Sequence, residues 1–135
     1  FGSGIRSVSH ALDEIVEVFD VEACGLELTD PHWYHLDTAF CPLPDGQAIA
    51  YKKAFAEKSA AALDAAFGEN IIWVSDTDAR NFACNAISIG SSVIMYKASA
   101  ELKSALNQRG LEVIEADVSE FLKSGGSCKC LTLEI

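Results

Sequence analysis

The order of apolar segments along the chain repeats, and this repetition constrains the fold more than any other feature. Two short strand-like runs, a helical segment and a third strand-like run occur twice in succession. Each unit is about 40 to 45 residues long, a period typical of arrays or propellers built from one supersecondary module. The sequence therefore predicts an α/β fold of repeated strand–strand–helix–strand modules, rather than a doubly wound sheet in which single strands alternate with helices.

Turn and helix-stop residues set the boundaries of the predicted modules. Pro44-Asp45-Gly46 predicts the turn of a hairpin, and Gly68 and Gly110 predict the ends of the two long helices. An amphipathic helix over 7–19 and a strand over 22–28 look like the tail of an earlier module. The remaining predicted segments are strands at 36–41, 48–51, 71–74, 86–89, 93–96, 111–115 and 129–133, and helices at 54–67, 99–109 and 119–123.

Size, charge and cysteine content narrow the class of protein. The 135 residues, half of them hydrophobic, predict a single domain over 1–135. A net charge of -10 disfavours nucleic acid as a partner, because its phosphates would be repelled. No apolar run approaches the roughly 20 residues that span a bilayer, so no membrane partner is expected. Five cysteines, without disulfide-framework spacing or a signal-peptide pattern, predict reduced thiols and a cytoplasmic location.

The first candidate for chemistry is a histidine followed two residues later by an aspartate. His35 and Asp37 lie where a loop enters the strand predicted from about residue 36, so both side chains are expected on one strand face. An imidazole beside a carboxylate is suited to general acid/base work and to binding a cation. The alternative is a surface histidine next to a hairpin.

The second candidate is a cysteine that follows a pair of glycines. Gly125 and Gly126 allow the backbone to approach a ligand closely, and Cys130 comes shortly after them, placed as a nucleophile. Cys128 and Cys130 are expected on one face of the predicted last strand, so a metal pair is a rival interpretation. Zinc would need further ligands, and no second Cys-x-x-Cys or His-x-x-x-His is present, so no metal site is predicted. A pair of core cysteines is the third possibility.

Two further polar residues are candidates for binding a small molecule. Arg6 follows a glycine-punctuated segment and could grip a carboxylate with both arms of its guanidinium. A solvated arginine explains it equally well. Asn85 precedes the predicted strand at 86–89, where it would line a site or cap a turn.

Taken together and in order, several segments resemble the C-terminal half of the dimethylarginine dimethylaminohydrolase and arginine deiminase family, the guanidine-modifying or amidinotransferase superfamily. The matching segments are residues 1–7, 26–31, 34–43, 82–86 and 120–133. The most specific are the Tyr-His-Leu-Asp-Thr motif, which begins at Tyr34, and the Gly-Gly…Cys-Leu-Thr-Leu ending. The resemblance runs essentially from end to end.

The resemblance implies a fold and a reaction. That family folds as a five-module β/α propeller, the pentein fold, around a central active site. By position, Cys130 would be the nucleophile, His35 the general acid/base and Asp37 the contact to the guanidinium, while Arg6 would hold the α-carboxylate of the substrate. Asn85 lies in a matching segment and is added to the predicted substrate-binding residues because it could line the site. The implied substrate is a small guanidino compound, arginine or methylated arginine, whose C–N bond is hydrolysed through a covalent thiouronium. No cofactor is implied.

The chain departs from the family pattern in two ways. Cys128 stands where family members usually carry an apolar or basic residue. The chain also holds about three of the five modules and contains no Glu-Gly-Gly-Asp-like segment, which the family's N-terminal half supplies to clamp the guanidinium. Two assemblies would complete the site: a separate or missing N-terminal half, or a homo-oligomer in which two copies close the ring. The alternative function is a non-catalytic half-propeller that self-associates and binds a small cationic or amino-acid ligand.

Overall fold

A computed structural model of the chain describes residues 1–133. Six helices and eight strands run through these residues. The helices are α1 (Ala11–Phe19), α2 (Leu36–Ala39), α3 (Glu57–Phe67), α4 (Asp76–Arg80), α5 (Ala100–Asn107) and α6 (Ser119–Leu122). The strands are β1 (Gly2–Ser3), β2 (Leu26–Glu27), β3 (Phe40–Leu43), β4 (Gln47–Ala50), β5 (Ile71–Trp73), β6 (Ile87–Ile89), β7 (Ser92–Met95) and β8 (Glu112–Glu115).

Two three-stranded sheets confirm the predicted repeat. In the first, β3 pairs antiparallel with β4, and β4 pairs parallel with β5 after the chain crosses over through α3. The second sheet has the same order and directions, with β6, β7 and β8 connected in the same way through α5. Each module is therefore an antiparallel hairpin followed by a helix and a parallel third strand.

The first 28 residues have the plan of a module's second half. β1 pairs parallel with β2, with Gly2 opposite Leu26, and α1 connects the two strands. This is the strand–helix–strand arrangement found in the later modules, as the sequence predicted. Helix α1 begins later than predicted, at Ala11.

Local residue chemistry explains most of the turns and helix ends. Asp45 and Gly46 adopt positive φ angles of 56° and 68° in the hairpin turn, which aspartate and glycine tolerate better than most residues. Helix α5 begins at the cap residue Ser99, whose hydroxyl accepts a hydrogen bond from the Leu102 N–H. Helix α3 stops at Gly68, as predicted.

The core lies between the sheets and the helices that follow their hairpins. Ile49, Val93, Met95 and Leu106 are each less than 2% exposed and come from the two complete modules. Helix α1 contrasts with them because it buries no residue fully, and Val18 and Phe19 are exposed. Across residues 1–133, no helix has both the length and the apolar character needed to cross a bilayer.

Three local predictions were wrong. Residues 36–39 form the short helix α2 rather than the start of a strand, so His35 and Asp37 do not share a strand face. Residues 129–131 form a 3₁₀ turn instead of the predicted last strand. Helix α4 was missed, although Ser75 caps it by accepting a hydrogen bond from the Asp78 N–H.

Candidate active site

The predicted functional residues lie at equivalent points of the repeated modules. Asp37 is in α2, directly before β3, the first strand of one module. Asn85 lies two residues before β6, the first strand of the next module. Cys130 is in the 3₁₀ turn Lys129–Leu131 and approaches both residues from the end of the chain. The repeat thus brings together side chains that are far apart in sequence.

The closest contact between candidate catalytic groups joins Cys130 to Asp37. The Cys130 thiol donates toward Asp37 Oδ2 at a sulfur–oxygen distance of 3.6 Å, across 93 residues of sequence. Partial burial, followed by the charge of Asp37, raises the pKa of the Cys130 thiol above its ordinary value. The carboxylate therefore favours the neutral thiol, and a cation between the two groups would favour the thiolate.

The second oxygen of Asp37 has no partner. Asp37 Oδ1 is buried and accepts no hydrogen bond from the described residues. A buried carboxylate oxygen without a donor is costly, so such atoms call for an explanation such as a bound water, ion or ligand. The Asp37 carboxylate therefore has one oxygen, Oδ1, without a donor from within residues 1–133, and its other oxygen, Oδ2, contacts the Cys130 thiol.

The glycine pair is needed because the chain passes very close to Cys130. A Cβ placed on Gly126 would lie 2.8 Å from the Cys130 Cβ and 2.9 Å from its sulfur. Gly125 has a φ of +87°, and a Cβ there would lie 3.3 Å from the Tyr34 ring. The glycine pair was expected to approach a ligand closely, and what the structure shows is a close approach to Cys130 and Tyr34.

Tyr34 links several of the candidate residues, and the sequence reasoning did not single it out. Its hydroxyl donates to the Gly125 carbonyl at 3.1 Å, which ties the start of α2 to the glycine loop. The Arg6 guanidinium carbon lies 5.6 Å from the centre of its ring, and the His35 ring lies 4.6 Å from it. The available signal was its position beside His35 in the motif.

His35 is exposed and begins α2 in an extended backbone conformation. Its carbonyl accepts a hydrogen bond of 2.7 Å from the Thr38 hydroxyl, which fixes the turn of the helix behind it. Its ring is free to face solvent or a ligand beside Tyr34. His35 and Arg6 thus both lie against the Tyr34 ring, while Asp37 contacts Cys130.

Asn85 differs from the other candidates because it is 0% exposed. Its amide nitrogen donates to the Asp37 backbone carbonyl at 3.0 Å. Its amide oxygen accepts from the N–H groups of Ser127 and Cys130 at 2.7 and 3.2 Å. All of these partners lie within the protein.

The five cysteines separate clearly by exposure. Cys24 and Cys130 are exposed, whereas Cys41, Cys84 and Cys128 are buried. Burial raises the pKa of Cys41 to about 11 and that of Cys84 well above its ordinary value. Cys128 and Cys130 do not share a strand face, because they lie in a tight turn with one thiol inside. Nowhere in residues 1–133 do three or more histidine, cysteine or acidic side chains form a group able to hold a metal ion.

A small cavity opens beside the nucleophile candidate. It has a volume of about 160 Å³, and its lining residues are Tyr34, Phe121, Ser124, Gly126, Cys130 and Leu131. A larger cavity of about 510 Å³ lies elsewhere, lined by residues of β5, α4 and α5. None of the candidate site residues lines the larger cavity, so size alone does not identify the site.

Comparison with known proteins identifies the family. Residues 2–135 match the family described as N,N dimethylarginine dimethylhydrolase, eukaryotic. The chain is 42% identical over 135 residues to the bifunctional arginine dihydrolase/ornithine cyclodeaminase AgrE of Nostoc sp., covering 99% of this chain and 19% of AgrE. It is 40% identical over 134 residues to the N(G),N(G)-dimethylarginine dimethylaminohydrolase of Mycobacterium tuberculosis, covering 99% of this chain and 44% of that protein.

A solved structure gives the same result at the level of the fold. The N-terminal domain of cyanobacterial ArgZ, in a variant covalently bound to a reaction intermediate, matches with a TM-score of 0.96 and 41% identity. The match covers 98% of this chain and 49% of that domain. The mixed α/β modules of this chain thus have a close counterpart in the fold of that ArgZ domain.

The chain belongs to the dimethylarginine dimethylaminohydrolase family. It spans about a fifth of the length of AgrE and less than half of the length of the mycobacterial relative.

Proposed function

We propose that this chain provides the cysteine and histidine part of the active site of a hydrolase that cuts the C–N bond of a guanidino substrate. The substrate class is arginine or methylated arginine. Cys130 is the nucleophile, His35 the general acid/base and Asp37 the residue that contacts the guanidinium. Names of relatives support this class: AgrE is an arginine dihydrolase, and the mycobacterial protein acts on dimethylarginine.

One observation carries the proposal: the Cys130 thiol touches a carboxylate that still has an unpartnered buried oxygen. Asp37 Oδ2 lies 3.6 Å from the sulfur, and Oδ1 has no donor among the described residues. A guanidinium is a planar cation with several N–H donors, so it can satisfy the free oxygen and place its carbon near the sulfur. Its charge would also offset the effect of Asp37 on the thiol and favour the thiolate.

The reaction follows from these groups. The Cys130 thiolate attacks the guanidinium carbon and forms a C–S bond, and the C–N bond to the departing amine breaks. His35 gives a proton to that amine as it leaves. Water, losing a proton to His35, then attacks the thiouronium carbon. The adduct expels the Cys130 thiolate and, by losing its O–H proton to solvent, leaves a urea product such as citrulline. The solved ArgZ variant, covalently bound to a reaction intermediate, supports a covalent step.

Arg6 is proposed to bind the α-carboxylate of the amino-acid substrate. Its guanidinium lies over the Tyr34 ring, which also contacts the His35 ring. Stacking on an aromatic ring orients an arginine and leaves its N–H donors free for a carboxylate. The proposed steps use a thiol, an imidazole, a carboxylate and water, and they need no metal or organic cofactor.

We further propose that residues 1–135 form one domain that supplies about three modules of a five-module propeller. The rest of the site would come from an N-terminal half or from a second copy of the chain. The relatives are at least twice as long as the segment that they share with this chain, which supports the first arrangement. The unpaired cysteines support the cytoplasm as the location.

The decisive experiment measures release of citrulline and of ammonia or alkylamine from arginine and dimethylarginine. It is made with the chain alone and with the N-terminal half of a relative added, while solution mass is recorded. Cys130→Ser should abolish turnover and covalent labelling, whereas Cys128→Ser should retain both. Equal loss in the two variants would refute Cys130 as the nucleophile. Normal turnover by His35→Asn would refute the acid/base role.

A second candidate function is a self-associating module that binds a cationic or amino-acid ligand without turnover. The exposed apolar residues near the start of the chain favour it: Val8, Val18 and Phe19 are 57%, 74% and 68% exposed. Exposed apolar residues grouped in this way are typical of interaction surfaces. A stable dimer that binds arginine but releases no product would support this candidate, and turnover would refute it.

A further inference from the structure

Asn85 is the most thoroughly bonded polar side chain near the proposed site. It is 0% exposed, and both ends of its amide form hydrogen bonds within the protein. Its own carbonyl also accepts from the Lys129 N–H at 3.1 Å. Three backbone N–H groups of the turn at 127–130, those of Ser127, Lys129 and Cys130, are therefore bonded to this one residue.

These bonds join the two segments that carry the chemistry. The amide oxygen holds the N–H of Cys130 and that of Ser127, while the amide nitrogen holds the carbonyl of Asp37. Cys130 and Asp37 are 93 residues apart in sequence, so no local structure fixes their separation. Asn85 spans the gap between them with one planar, rigid group.

We propose that Asn85 is a positioning residue that sets the distance between the Cys130 sulfur and the Asp37 carboxylate. This inference rests on the proposed function for its catalytic meaning. Asn85 was predicted from the sequence to bind substrate, but its buried amide has no free surface to offer one. It acts through Cys130 and Asp37 instead.

Burial makes the arrangement hard to replace. Ser127 is also 0% exposed, so its N–H has no access to water if the Asn85 oxygen is removed. An aspartate side chain at 85 would retain an acceptor but would lose the amide donor to the Asp37 carbonyl. The amide is suited to this position because it combines a double acceptor and a donor. A hydrogen bond from Asn85 also lowers the pKa of the Cys130 thiol, against the effect of Asp37.

The test measures how strongly Asp37 and Cys130 interact with and without Asn85. In a Cys24→Ser background, Cys130 is the one exposed cysteine, so its alkylation by iodoacetamide reports its thiol pKa. Asp37→Asn is expected to lower that pKa, because it removes the carboxylate charge beside the sulfur, and to quicken alkylation below the pKa by about tenfold. With Asn85→Ala, the same substitution should shift the pKa by half as much or less, because the two groups are no longer held together.

Two further variants make the result specific. Ser59→Ala removes another buried hydrogen bond, from the Glu27 N–H, at a place that does not touch the site, and it should leave the coupling intact. Asn85→Asp keeps the side-chain size if the alanine variant does not fold. Asn85→Asp should also weaken the interaction between Asp37 and Cys130. The effect of Asp37→Asn is measured with Asn85→Asp present in both chains, so the charge that Asn85→Asp itself adds cancels. Circular dichroism and urea unfolding establish that each variant is folded.

The outcomes separate this inference from the proposed function. The quantity compared is the shift in the Cys130 thiol pKa caused by Asp37→Asn. Three results would each overturn the positioning role: a full shift in the Asn85 variants, an equally reduced shift in Ser59→Ala, or no shift in the parent. In a protein that turns over, Asn85→Ala should lower kcat about tenfold or more while KM stays within about twofold. The Asn85 variants could weaken the Asp37–Cys130 interaction as expected while the Cys130→Ser variant still turns over substrate. That pair of results would refute the proposed function and leave the positioning role of Asn85 standing.

Discussion

Replacing Gly126 by alanine should disable the site while leaving the fold in place. The new Cβ would lie 2.8 Å from the Cys130 Cβ and 2.9 Å from the sulfur, where ordinary contacts lie at 3.4 Å or more. Rotating the cysteine side chain relieves the contact with sulfur but does not move its Cβ. The backbone of the turn at 127–130 must therefore move by more than half an ångström, roughly the deficit in that contact.

The size of the effect follows from what the turn holds. Overpacking of this kind costs about 1 to 3 kcal/mol in the free energy of unfolding. A reacting group displaced by about 1 Å can lose about 100-fold in rate, so kcat should fall by about 10- to 100-fold. The Ser127 N–H, bonded to Asn85 at 2.7 Å, should also exchange with solvent about tenfold faster.

Gly90→Ala is the matched control for this prediction. Gly90 has a φ of +57° in the second hairpin, and a Cβ there would meet nothing within 4 Å. An alanine at that φ costs about 1 to 2 kcal/mol through backbone strain alone, without touching Cys130. Urea unfolding, amide exchange and turnover in the assembled enzyme would be compared. If Gly126→Ala loses stability like the control yet keeps normal turnover and Ser127 exchange, the steric reasoning is refuted.

Three further predictions concern the same neighbourhood. Asp37→Asn removes a negative charge 3.6 Å from the Cys130 sulfur. The repulsion between that charge and a thiolate is worth about 1 kcal/mol in a water-like medium. Labelling of Cys130 by iodoacetamide below the thiol pKa should therefore quicken about tenfold, while turnover of the guanidino substrate falls. Asp45→Asn, an equal charge change in an exposed turn, should alter neither rate. The buried Cys41 thiol, with a pKa of about 11, should label slowly at pH 8 in the folded chain and quickly in urea, as mass spectrometry of peptides would show. Tyr34→Phe removes the bond to the glycine loop and should raise KM and lower kcat by a few-fold at most, so an unchanged rate would show that the aromatic ring alone suffices.

The sequence predicted the modules because their signals are local. Proline, aspartate and glycine fix a hairpin turn within three residues, and Gly68 ends a helix by its own backbone freedom. Alternation of apolar residues then assigns the strands on either side. The strand boundaries in the two complete modules differ from the structure by one residue or, in the segment at 36–41, by a helical turn.

The site was harder to predict because its geometry depends on distant contacts. The Cys-Leu-Thr-Leu segment has strand-like composition, but hydrogen bonds to Asn85 hold its beginning in a 3₁₀ turn. Asp37 likewise lies in a helical turn, stabilised by the bond from the Asn85 amide to its carbonyl. Local propensity cannot report either constraint, since both come from a residue more than 40 positions away. The sequence did identify Cys130, His35 and Asp37 as candidates, but not how they are held.

The repeated architecture itself explains why these residues meet. In each complete module the segment before the first hairpin strand ends at the same place relative to its sheet, so Asp37 before β3 and Asn85 before β6 become neighbours. Asp37 presents its carboxylate to the Cys130 thiol, whereas Asn85 is buried and donates a hydrogen bond to the Asp37 carbonyl. A repeat fixes the order of strands and helices in each copy but not the side chains, so one copy can supply chemistry while the next supplies rigidity. Further modules packed on the same plan would bring their own pre-strand segments toward Cys130, and acidic residues there would complete the binding of a guanidinium.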